Sequence, residues 1–370
     1  MAQVVKCTVP LVALNASETK SMTRFWTDTV KRLTPYVPGE QRTGGDIIKL
    51  NTNENPYPPS PEVMQAIRSV EGDTLRRYPD PESVQLRQSL ADYHDVQLDN
   101  VFVGNGSDEI LALAFLAYFT DGKVLQFPDV TYSFYPVYCD LYGIKPELIA
   151  LEEDYSLSLD RFKPNLGSII FPNPNAPTAI ANEFEDIRKL LDRHTEHVVL
   201  VDEAYADFGA QSVIPLIKDY PNLIVSRTFS KGRSMAGMRL GVAFGDAALI
   251  DGLQRVKNSF NSYPIDVLAQ SAGYASINDE AYYRDTTRKI IDTRSWTVAQ
   301  LERRGFQVLP SAANFVFTRP PDNSAENVFI ALSKAGVLVR YWNKPRLRQW
   351  LRISIGTADD MRSLMTCLDA

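Results

Sequence analysis

The stretch Val198-Val-Leu-Val-Asp202-Glu203-Ala204-Tyr205 decides the fold. Four consecutive apolar residues followed by a carboxylate predict a buried strand that ends in an acidic side chain. In an open α/β sheet, the carboxyl ends of the strands form the edge where ligands bind. Asp202 is therefore a candidate functional residue. On these eight residues alone, an aspartate that ends the strand and caps the next segment fits equally well.

Similar short apolar runs recur on both sides of this stretch. They alternate with helical patterns, such as residues 108–119 and 183–194, and this rhythm is typical of a mostly parallel sheet with crossover helices. The runs are residues 101–103, 123–127, 168–171, 198–201, 223–225 and 240–244. The sequence thus predicts a large α/β domain with a mostly parallel sheet sandwiched by helices.

The pattern changes after about Ser262. A helical region over residues 264–301 leads into strand-like segments, which are residues 306–309, 314–317, 337–340 and 351–355, with a helix at 325–334 among them. This pattern predicts a smaller α+β domain with an antiparallel sheet, and Thr357 as the N-cap of the last helix. We expect residues 1–48 to form an N-terminal arm that joins the small domain. Residues 49–262 would form the large domain and 263–370 the small C-terminal domain.

The composition excludes several classes of function. The chain has 370 residues with 39 Lys or Arg, 45 Asp or Glu, a net charge of −6, three His and three Cys. The His and Cys residues are too few and too scattered for a metal site or a disulfide framework, so we expect no metal, reduced thiols and a cytoplasmic location. The acidic excess argues against nucleic acid or a membrane as partner, and no run approaches the roughly 18 apolar residues of a membrane helix. Residues 1–14 are interpreted as an arm and not as a signal peptide.

A second strand end carries a lysine among possible phosphate donors. The run 223–225 leads into Thr228-Phe-Ser230-Lys231, and Arg239 follows. A lone lysine in a loop is usually a solvated charge. Here the hydroxyls and the guanidinium suit a phosphate. Cationic and dipolar neighbours also lower the pKa of a lysine amine, which Schiff-base chemistry requires.

The segment Gly104-Asn-Gly106-Ser107-Asp108 lies between an apolar run and a helical pattern. This order directs backbone N–H groups and the positive end of a helix dipole towards an anion. Glu109 stands where a dinucleotide-binding fingerprint has its third glycine, and no Gly-Lys of a P-loop follows. An anion site of another kind and an ordinary tight turn are both left open.

Two more strand ends carry candidate ligand contacts. Asn175 lies in a proline-rich loop, where the restricted backbone can aim an amide at a ligand, although a surface turn would look similar. Tyr132 follows the run 123–127, where its ring could stack on a planar group or simply pack. Together the strand ends offer phosphate donors, an amine, a carboxylate for a ring nitrogen and an aromatic cover. These are the groups that pyridoxal phosphate needs.

The order of these motifs resembles the aspartate-aminotransferase fold of pyridoxal-phosphate enzymes, fold type I, and most closely the histidinol-phosphate aminotransferase family. The resemblance covers nearly the whole chain, from Thr34 to Gly356. Its most specific segments are Leu50-Asn-Thr-Asn53-Glu54-Asn55-Pro56-Tyr57, Arg77-Tyr78-Pro79-Asp80-Pro81, residues 104–109, Asp202-Glu-Ala-Tyr205, and Ser230-Lys231 with Arg239.

The resemblance implies a role for each candidate residue. Lys231 would carry the aldehyde of pyridoxal 5'-phosphate, Asp202 would pair with its ring nitrogen, and Tyr205 would donate to its ring hydroxyl. Tyr132 would stack on the ring. The residues implied to hold the cofactor phosphate are Gly106, Ser107, Asp108, Thr228, Ser230 and Arg239. Tyr78 would reach the phosphate of the neighbouring subunit, so the family pattern implies a homodimer with shared active sites. The implied substrate residues are Tyr36, Asn53, Arg340 and Arg352.

The chain departs from the family pattern at one point. The family usually reads Asn-Asn-Pro-Thr-Gly where this chain has Asn175-Ala176-Pro177-Thr178-Ala179. The second Asn normally bonds the ring hydroxyl, and an alanine cannot. Either Asn175 takes over through a shift of the loop or Tyr205 serves alone. We expect Asn175 to take over.

The reaction implied by the resemblance is amino transfer between L-histidinol phosphate and 2-oxoglutarate in histidine biosynthesis. It gives imidazole-acetol phosphate and L-glutamate, so the partners are small molecules. The alternatives with the same cofactor site are an aromatic amino acid aminotransferase and a threonine-phosphate decarboxylase. Outside the enzyme class, the alternative is a non-catalytic pyridoxal-phosphate-binding protein. The sequence separates them poorly, because an imidazole pocket has no short signature.

Overall fold

The computed structural model describes residues 23–36, 39–42 and 47–370. The predicted arm therefore lies partly outside the described residues, and all of the segment 1–22 does. In the described ranges the α-helices are α1 Asp28–Arg32, α2 Pro61–Arg68, α3 Gly72–Leu75, α4 Val84–His94, α5 Gly106–Tyr118, α6 Phe134–Tyr142, α7 Phe184–Arg193, α8 Ala247–Phe260, α9 Val267–Asn278, α10 Glu280–Arg303, α11 Ala325–Lys334 and α12 Ala358–Asp369.

The strands in the same ranges are β1 Ile48–Lys49, β2 Val101–Asn105, β3 Leu125–Pro128, β4 Pro146–Ile149, β5 Ile169–Pro172, β6 Val199–Asp202, β7 Leu223–Thr228, β8 Leu240–Gly245, β9 Gln307–Val308, β10 Phe315–Arg319, β11 Val337–Leu338, β12 Arg340–Tyr341 and β13 Leu351–Ser354. Short 3₁₀ turns lie at Thr23–Phe25, Leu98–Asn100, Leu159–Arg161, Ala206–Phe208, Ile214–Lys218 and Ala236–Met238.

A seven-stranded sheet organises the large domain, in the order β2-β8-β7-β6-β5-β3-β4. Strand β8 is antiparallel to both of its neighbours, and the remaining pairs are parallel. The predicted α/β fold with a mostly parallel sheet is therefore confirmed, and each of the six apolar runs overlaps a strand. Strand β4 was not predicted, because Pro146 and Glu147 at this exposed edge interrupt the apolar pattern.

The two faces of this sheet are covered by separate hydrophobic cores. Along β6, Val199 and Val201 point into one core, whereas Leu200 points into the other. A strand buried on both faces has no polar face, which explains why the deciding stretch reads as an uninterrupted apolar run. The run ends at Asp202 because the strand reaches the edge of the sheet there.

The small domain contains an antiparallel sheet in the order β12-β13-β10-β9, as expected. The predicted strand 337–340 was wrong as one element: β11 pairs in parallel with β1, while β12 pairs with β13. The predicted cap at Thr357 is confirmed, since its hydroxyl accepts from the Asp360 amide and the Asp360 carboxylate accepts from the Thr357 amide.

The predicted domain limits, 1–48, 49–262 and 263–370, stay a prediction. Helix α9 lies after residue 262, yet it packs on α2 and α4. Its residues Ala269 and Ala272 belong to the core of the large domain. We therefore propose that the boundary lies further along the chain, after Asn278.

Two negative findings apply to the described part of the chain. It contains no helix that is long and apolar enough to cross a membrane. It also contains no cluster of three or more His, Cys, Asp or Glu side chains that could hold a metal ion. Cys139 and Cys367 are free thiols, and Cys7 lies outside the described residues.

Candidate active site

A cavity of about 580 Å³ lies at the carboxyl ends of the central strands, where the small domain meets the sheet. It brings together most of the predicted site residues. Those that line it are Tyr36, Asn53, Ser107, Asp108, Tyr132, Asp202, Tyr205, Thr228, Ser230, Lys231, Arg239, Arg340 and Arg352. The cavity therefore joins hydroxyl groups, an amine, two aspartate carboxylates and three guanidinium groups in one space.

Asp202 is buried at the end of β6 and is held by three donors. The Tyr135 hydroxyl donates to Oδ2 at 3.1 Å, while the Ser226 hydroxyl and the Ala204 amide each donate to Oδ1 at 3.2 Å. Burial raises the pKa of Asp202 to about 6, although these hydrogen bonds act in the opposite direction. The carboxylate is thus fixed in orientation, and it is mostly ionised at neutral pH.

Lys231 lies in the turn after β7, with its partly buried amine in the cavity. Its Nζ donates to the backbone oxygen of Thr52 at 3.1 Å and lies 5.9 Å from the centre of the Tyr205 ring. Burial, assisted by the positive charge of Arg352, lowers the pKa of Lys231 to about 8. A substantial fraction of the amine is therefore neutral near physiological pH and can act as a nucleophile or a base.

The turn before α5 forms a cradle for an anion. Helix α5 begins at Gly106, whose φ of +78° is the left-handed conformation that favours glycine. A Cβ at this position would collide with the Arg239 guanidinium. Arg239 lies 3.4 Å from the hydroxyl of Ser230 and 3.4 Å from the carboxylate of Asp108. A helix N-terminus, a guanidinium and hydroxyls are a donor set suited to a phosphate.

Tyr205 and Tyr132 are held in the cavity by different hydrogen bonds. The Tyr205 hydroxyl accepts a hydrogen bond from Asn53 Nδ2 at 3.0 Å, and burial raises its pKa. The Tyr132 hydroxyl donates to Asp108 Oδ1 at 2.8 Å, which fixes the orientation of its ring.

Two arginines of the small-domain sheet face the cavity from paired positions on β12 and β13. Arg340 and Arg352 are register partners, and both guanidinium groups lie 5.3 Å from the Trp342 ring. Arg352 donates from Nη2 to the Asn51 backbone oxygen at 2.8 Å, whereas its buried Nε has no hydrogen-bond partner among the described residues. An unpaired buried N–H beside a cavity points to an acceptor that a ligand would bring.

Comparisons with known proteins agree with this geometry. The model of the family described as aminotransferase class I and II matches residues 45–368. The chain belongs to this aminotransferase family. It is 51% identical to histidinol-phosphate aminotransferase 1 of Hydrogenovibrio crunogenus, over 94% of this chain and 98% of the relative. It is 50% identical to the histidinol-phosphate aminotransferase of Chromohalobacter salexigens, over 94% and 99% of the two chains.

Solved structures of aminotransferases share the fold. The histidinol-phosphate aminotransferase of Sinorhizobium meliloti, in complex with pyridoxal 5'-phosphate, matches with a TM-score of 0.84 and 26% identity, over 93% of this chain and 96% of that one. A mutant aspartate aminotransferase of Thermus thermophilus matches with a TM-score of 0.78 at 18% identity, over 93% and 99% of the chains, which concerns the fold alone.

Pyridoxal phosphate fits the residues present in this aminotransferase. The glycine cradle with Arg239 suits the phosphate, and the ionised Asp202 suits a protonated ring nitrogen. The amine of Lys231 suits the aldehyde. The cavity is also large enough for a drug-sized ligand. The cofactor expected from the sequence and the donor set of the structure therefore agree.

The structure does not bring Asn175 into the cavity of the aminotransferase. Its amide nitrogen donates to the backbone oxygen of Val130 and to the hydroxyl of Thr178, both at 3.0 Å, and the residue is buried. Ala176 lines the cavity in its place. Tyr78 also lies elsewhere: it is 81% exposed and stacks on Tyr263.

Sequence reasoning missed several residues of the site. Thr52 and Asn51 bind Lys231 and Arg352 through backbone oxygens, so their side-chain identity carries no signal for this role. Tyr135 supports Asp202 from α6, where an aromatic residue looks like ordinary core packing. Glu54 stands in a segment that the family resemblance had singled out, and it lines the cavity.

Proposed function

We propose that the protein transfers an amino group between L-histidinol phosphate and 2-oxoglutarate in histidine biosynthesis, as a pyridoxal-phosphate-dependent aminotransferase. The observation that carries the proposal is the placement of Arg352 and Arg340 in the cavity that also holds Lys231. The relatives that are about half identical along nearly the whole chain support the same substrate.

The cofactor, when bound, supplies an aldehyde that accepts amino groups and a protonated ring that withdraws electrons from the reacting carbon. The chain supplies the remaining functions. Hydrogen bonds from Tyr135 and Ser226 hold the carboxylate of Asp202 in place. In this position the carboxylate stabilises a positive charge at the ring nitrogen. The amine of Lys231 has a pKa of about 8, which suits a group that accepts and returns a proton at the substrate carbon.

Arginine explains how one site can take two different acids. The amino donor carries a phosphate and the acceptor carries carboxylates, and a guanidinium fork binds both geometries with paired hydrogen bonds. The unpaired Nε of Arg352 is available for this purpose. Tyr36 lines the same cavity, and in this proposal it assists the arginines in binding the substrate.

A panel of amino donors tests the substrate. Histidinol phosphate, phenylalanine and threonine phosphate are compared at a fixed concentration of 2-oxoglutarate. We expect kcat/KM for histidinol phosphate to exceed the others at least tenfold, which is about 1.4 kcal/mol of transition-state discrimination. A preference for phenylalanine would favour an aromatic aminotransferase, and release of CO₂ from threonine phosphate would favour a decarboxylase. A colourless protein that binds no pyridoxal phosphate would contradict the whole class.

We also propose a homodimer with shared active sites in the cytoplasm. Tyr78 supports the dimer, because its ring, which is 81% exposed, stacks on the exposed ring of Tyr263, and contiguous exposed aromatic surface suits a contact with a partner subunit. Phe260, at the end of helix α8, is a second aromatic residue that is 81% exposed. Mixed dimers of inactive Lys231→Ala and inactive Tyr78→Ala chains should recover activity, because one of their two sites contains both native residues. Mixtures that stay inactive would argue against shared sites.

A further inference from the structure

Asn53 connects Tyr205 to the last strand of the small-domain sheet. It is 1% exposed and adopts a left-handed backbone with φ of +57°, a conformation that asparagine tolerates better than most residues. Its Nδ2 donates to the Tyr205 hydroxyl at 3.0 Å, and its Oδ1 accepts from the Ser354 hydroxyl at 2.8 Å. Its backbone amide donates to Ser354 Oγ at 2.9 Å, and its backbone oxygen accepts from Asn314 at 2.9 Å.

The donor and acceptor roles in these hydrogen bonds fix which end of the Asn53 side-chain amide faces Tyr205. Because Ser354 Oγ accepts from the backbone amide of Asn53, the hydroxyl hydrogen of Ser354 is free for Oδ1 of Asn53. The oxygen end of the Asn53 amide therefore faces Ser354, and the nitrogen end faces Tyr205. Since the Tyr205 oxygen accepts from this nitrogen, its own hydrogen is directed away from Asn53 and into the cavity.

The two nearest loop residues supply no alternative donor. Ala176 lines the same cavity as Tyr205 but carries no side-chain amide. Asn175 donates to Val130 and Thr178 instead. Of these three residues, Tyr205 is therefore the one whose side chain can donate a hydrogen bond to an acceptor in the cavity.

We propose that Asn53 is a positioning residue that fixes the Tyr205 hydroxyl as a donor to the ring oxygen of the bound cofactor. The proposal rests on the proposed function, because that cofactor supplies the acceptor. A hydrogen-bond donor stabilises negative charge on the ring oxygen of the cofactor. This stabilisation is largest when the bound, coloured cofactor has lost its titrating proton, because the positive charge that balanced the ring oxygen is then gone. The Asn53–Tyr205 pair therefore lowers the pH at which half of the bound cofactor has lost this proton, and that pH is the midpoint of the colour change.

Other titratable groups lie near Tyr205 or Lys231 and act on the same midpoint. Those that act on Tyr205 or Lys231 are Tyr36, Glu54, Asp108, Asp202, Arg239 and Arg352. All of them stay unchanged in the variants below, so their contributions cancel in the comparison.

The experiment titrates the visible band of the purified holoenzyme from pH 5 to pH 10. Asn53→Asp replaces the donor by an acceptor of the same shape, which draws the Tyr205 hydrogen out of the cavity. We expect its midpoint to rise by about one unit, and that of Tyr205→Phe to rise similarly. Adding Asn53→Asp to Tyr205→Phe should cause little further change. Ser354→Ala should give a smaller rise without adding a charge, and Ser354→Thr should stay near the native value.

Three results would overturn the proposal. The first is an unchanged midpoint in both Asn53→Asp and Ser354→Ala. The second is an equal rise on adding Asn53→Asp to Tyr205→Phe, because that rise would be a plain effect of the new charge. The third applies if Asn53→Asp does not fold: Ser354→Ala then tests the proposal, and a native midpoint in Ser354→Ala would overturn it. A native protein without any visible band would instead contradict the proposed cofactor.

Discussion

The amine of Lys231 lies 3.1 Å from the backbone oxygen of Thr52, in the segment that also binds Arg352 through the Asn51 oxygen at 2.8 Å. One short loop therefore sets the distance between the reactive amine and the arginine proposed to bind substrate. Since both contacts use backbone atoms, substitutions of the Thr52 side chain would leave them in place. The partly buried amine of Lys231 therefore lies near the guanidinium of Arg352, whose positive charge helps to lower the pKa of Lys231.

Lys231 should make the stability of the cofactor-free protein depend on pH. Burial lowers its pKa to about 8, whereas an unfolded lysine titrates near 10.4, so between these values the unfolded chain holds more protons. The free energy of unfolding should therefore rise with pH in this window, relative to Lys231→Met, by at most on the order of 3 kcal/mol. Urea unfolding of both proteins at pH 7 to 10.5 measures the difference.

The control for this titration is Lys189→Met. Lys189 is exposed on α7, and its hydrogen bond to Asp186 raises its pKa. Native protein should therefore gain no stability relative to this variant as the pH rises. A pH-independent difference between native protein and Lys231→Met would show that the amine is not desolvated.

Asp202 should make cofactor binding weaker in acid. Its pKa is raised to about 6 by burial, so the carboxylate is lost as the pH falls through this value, and the attraction for a protonated ring nitrogen is lost with it. Tyr135→Phe removes a donor to Oδ2 and should raise the pKa of Asp202 further. The acid loss of pyridoxal phosphate affinity, measured by spectroscopic titration, should then begin at a higher pH.

Tyr138→Phe is the matched control, because Tyr138 lies on the same helix and donates to the backbone oxygen of Asp108 instead. It should leave the acid limb of the binding profile close to the native one. Equal shifts in the two variants would mean that the helix, and not the bond from Tyr135 to Asp202, sets the profile.

Arg352 should contribute to both half-reactions. Arg352→Lys keeps the charge but removes the planar fork, and a hydrogen bond to a charged group is worth about 1.5–3 kcal/mol. We expect kcat/KM to fall about tenfold to a hundredfold for the amino donor and for 2-oxoglutarate alike. Stopped-flow measurement of each half-reaction checks this. The control Arg348→Lys changes an exposed arginine that does not line the cavity, and a similar loss there would contradict the assignment.

The strands were predictable because of where they lie in the sheet. Residues such as Val199 and Leu200 face two apolar cores, so the whole strand must be apolar, and its end at Asp202 marks the edge of the sheet. The edge strand β4 is covered less completely and tolerates Pro146 and Glu147, which removes the pattern.

The fine positions within the site were less predictable. The position of Asn175 depends on the backbone oxygen of Val130, 45 residues earlier, and no local pattern encodes that contact. The contacts of the Asn51 and Thr52 backbone oxygens are equally unpredictable from the sequence, because every residue carries a backbone oxygen. Most of the residues that the family resemblance singled out line one cavity, whereas only the folded chain reveals which of their atoms already have partners.

Gly106 provides a test of the anion cradle. Alanine at φ of +78° is strained by roughly 1–2 kcal/mol, and its Cβ would also displace Arg239 from the cradle. Gly122 has a similar φ of +83° but open space where a Cβ would lie, so Gly122→Ala carries the strain alone. Both variants should lose stability in thermal unfolding, Gly106→Ala at least as much as Gly122→Ala, but only Gly106→Ala should bind pyridoxal phosphate more weakly, by at least tenfold. Pyridoxal, which lacks the phosphate, should bind Gly106→Ala and the native protein alike. A loss of affinity for pyridoxal as large as for the phosphate ester would place the cofactor phosphate elsewhere.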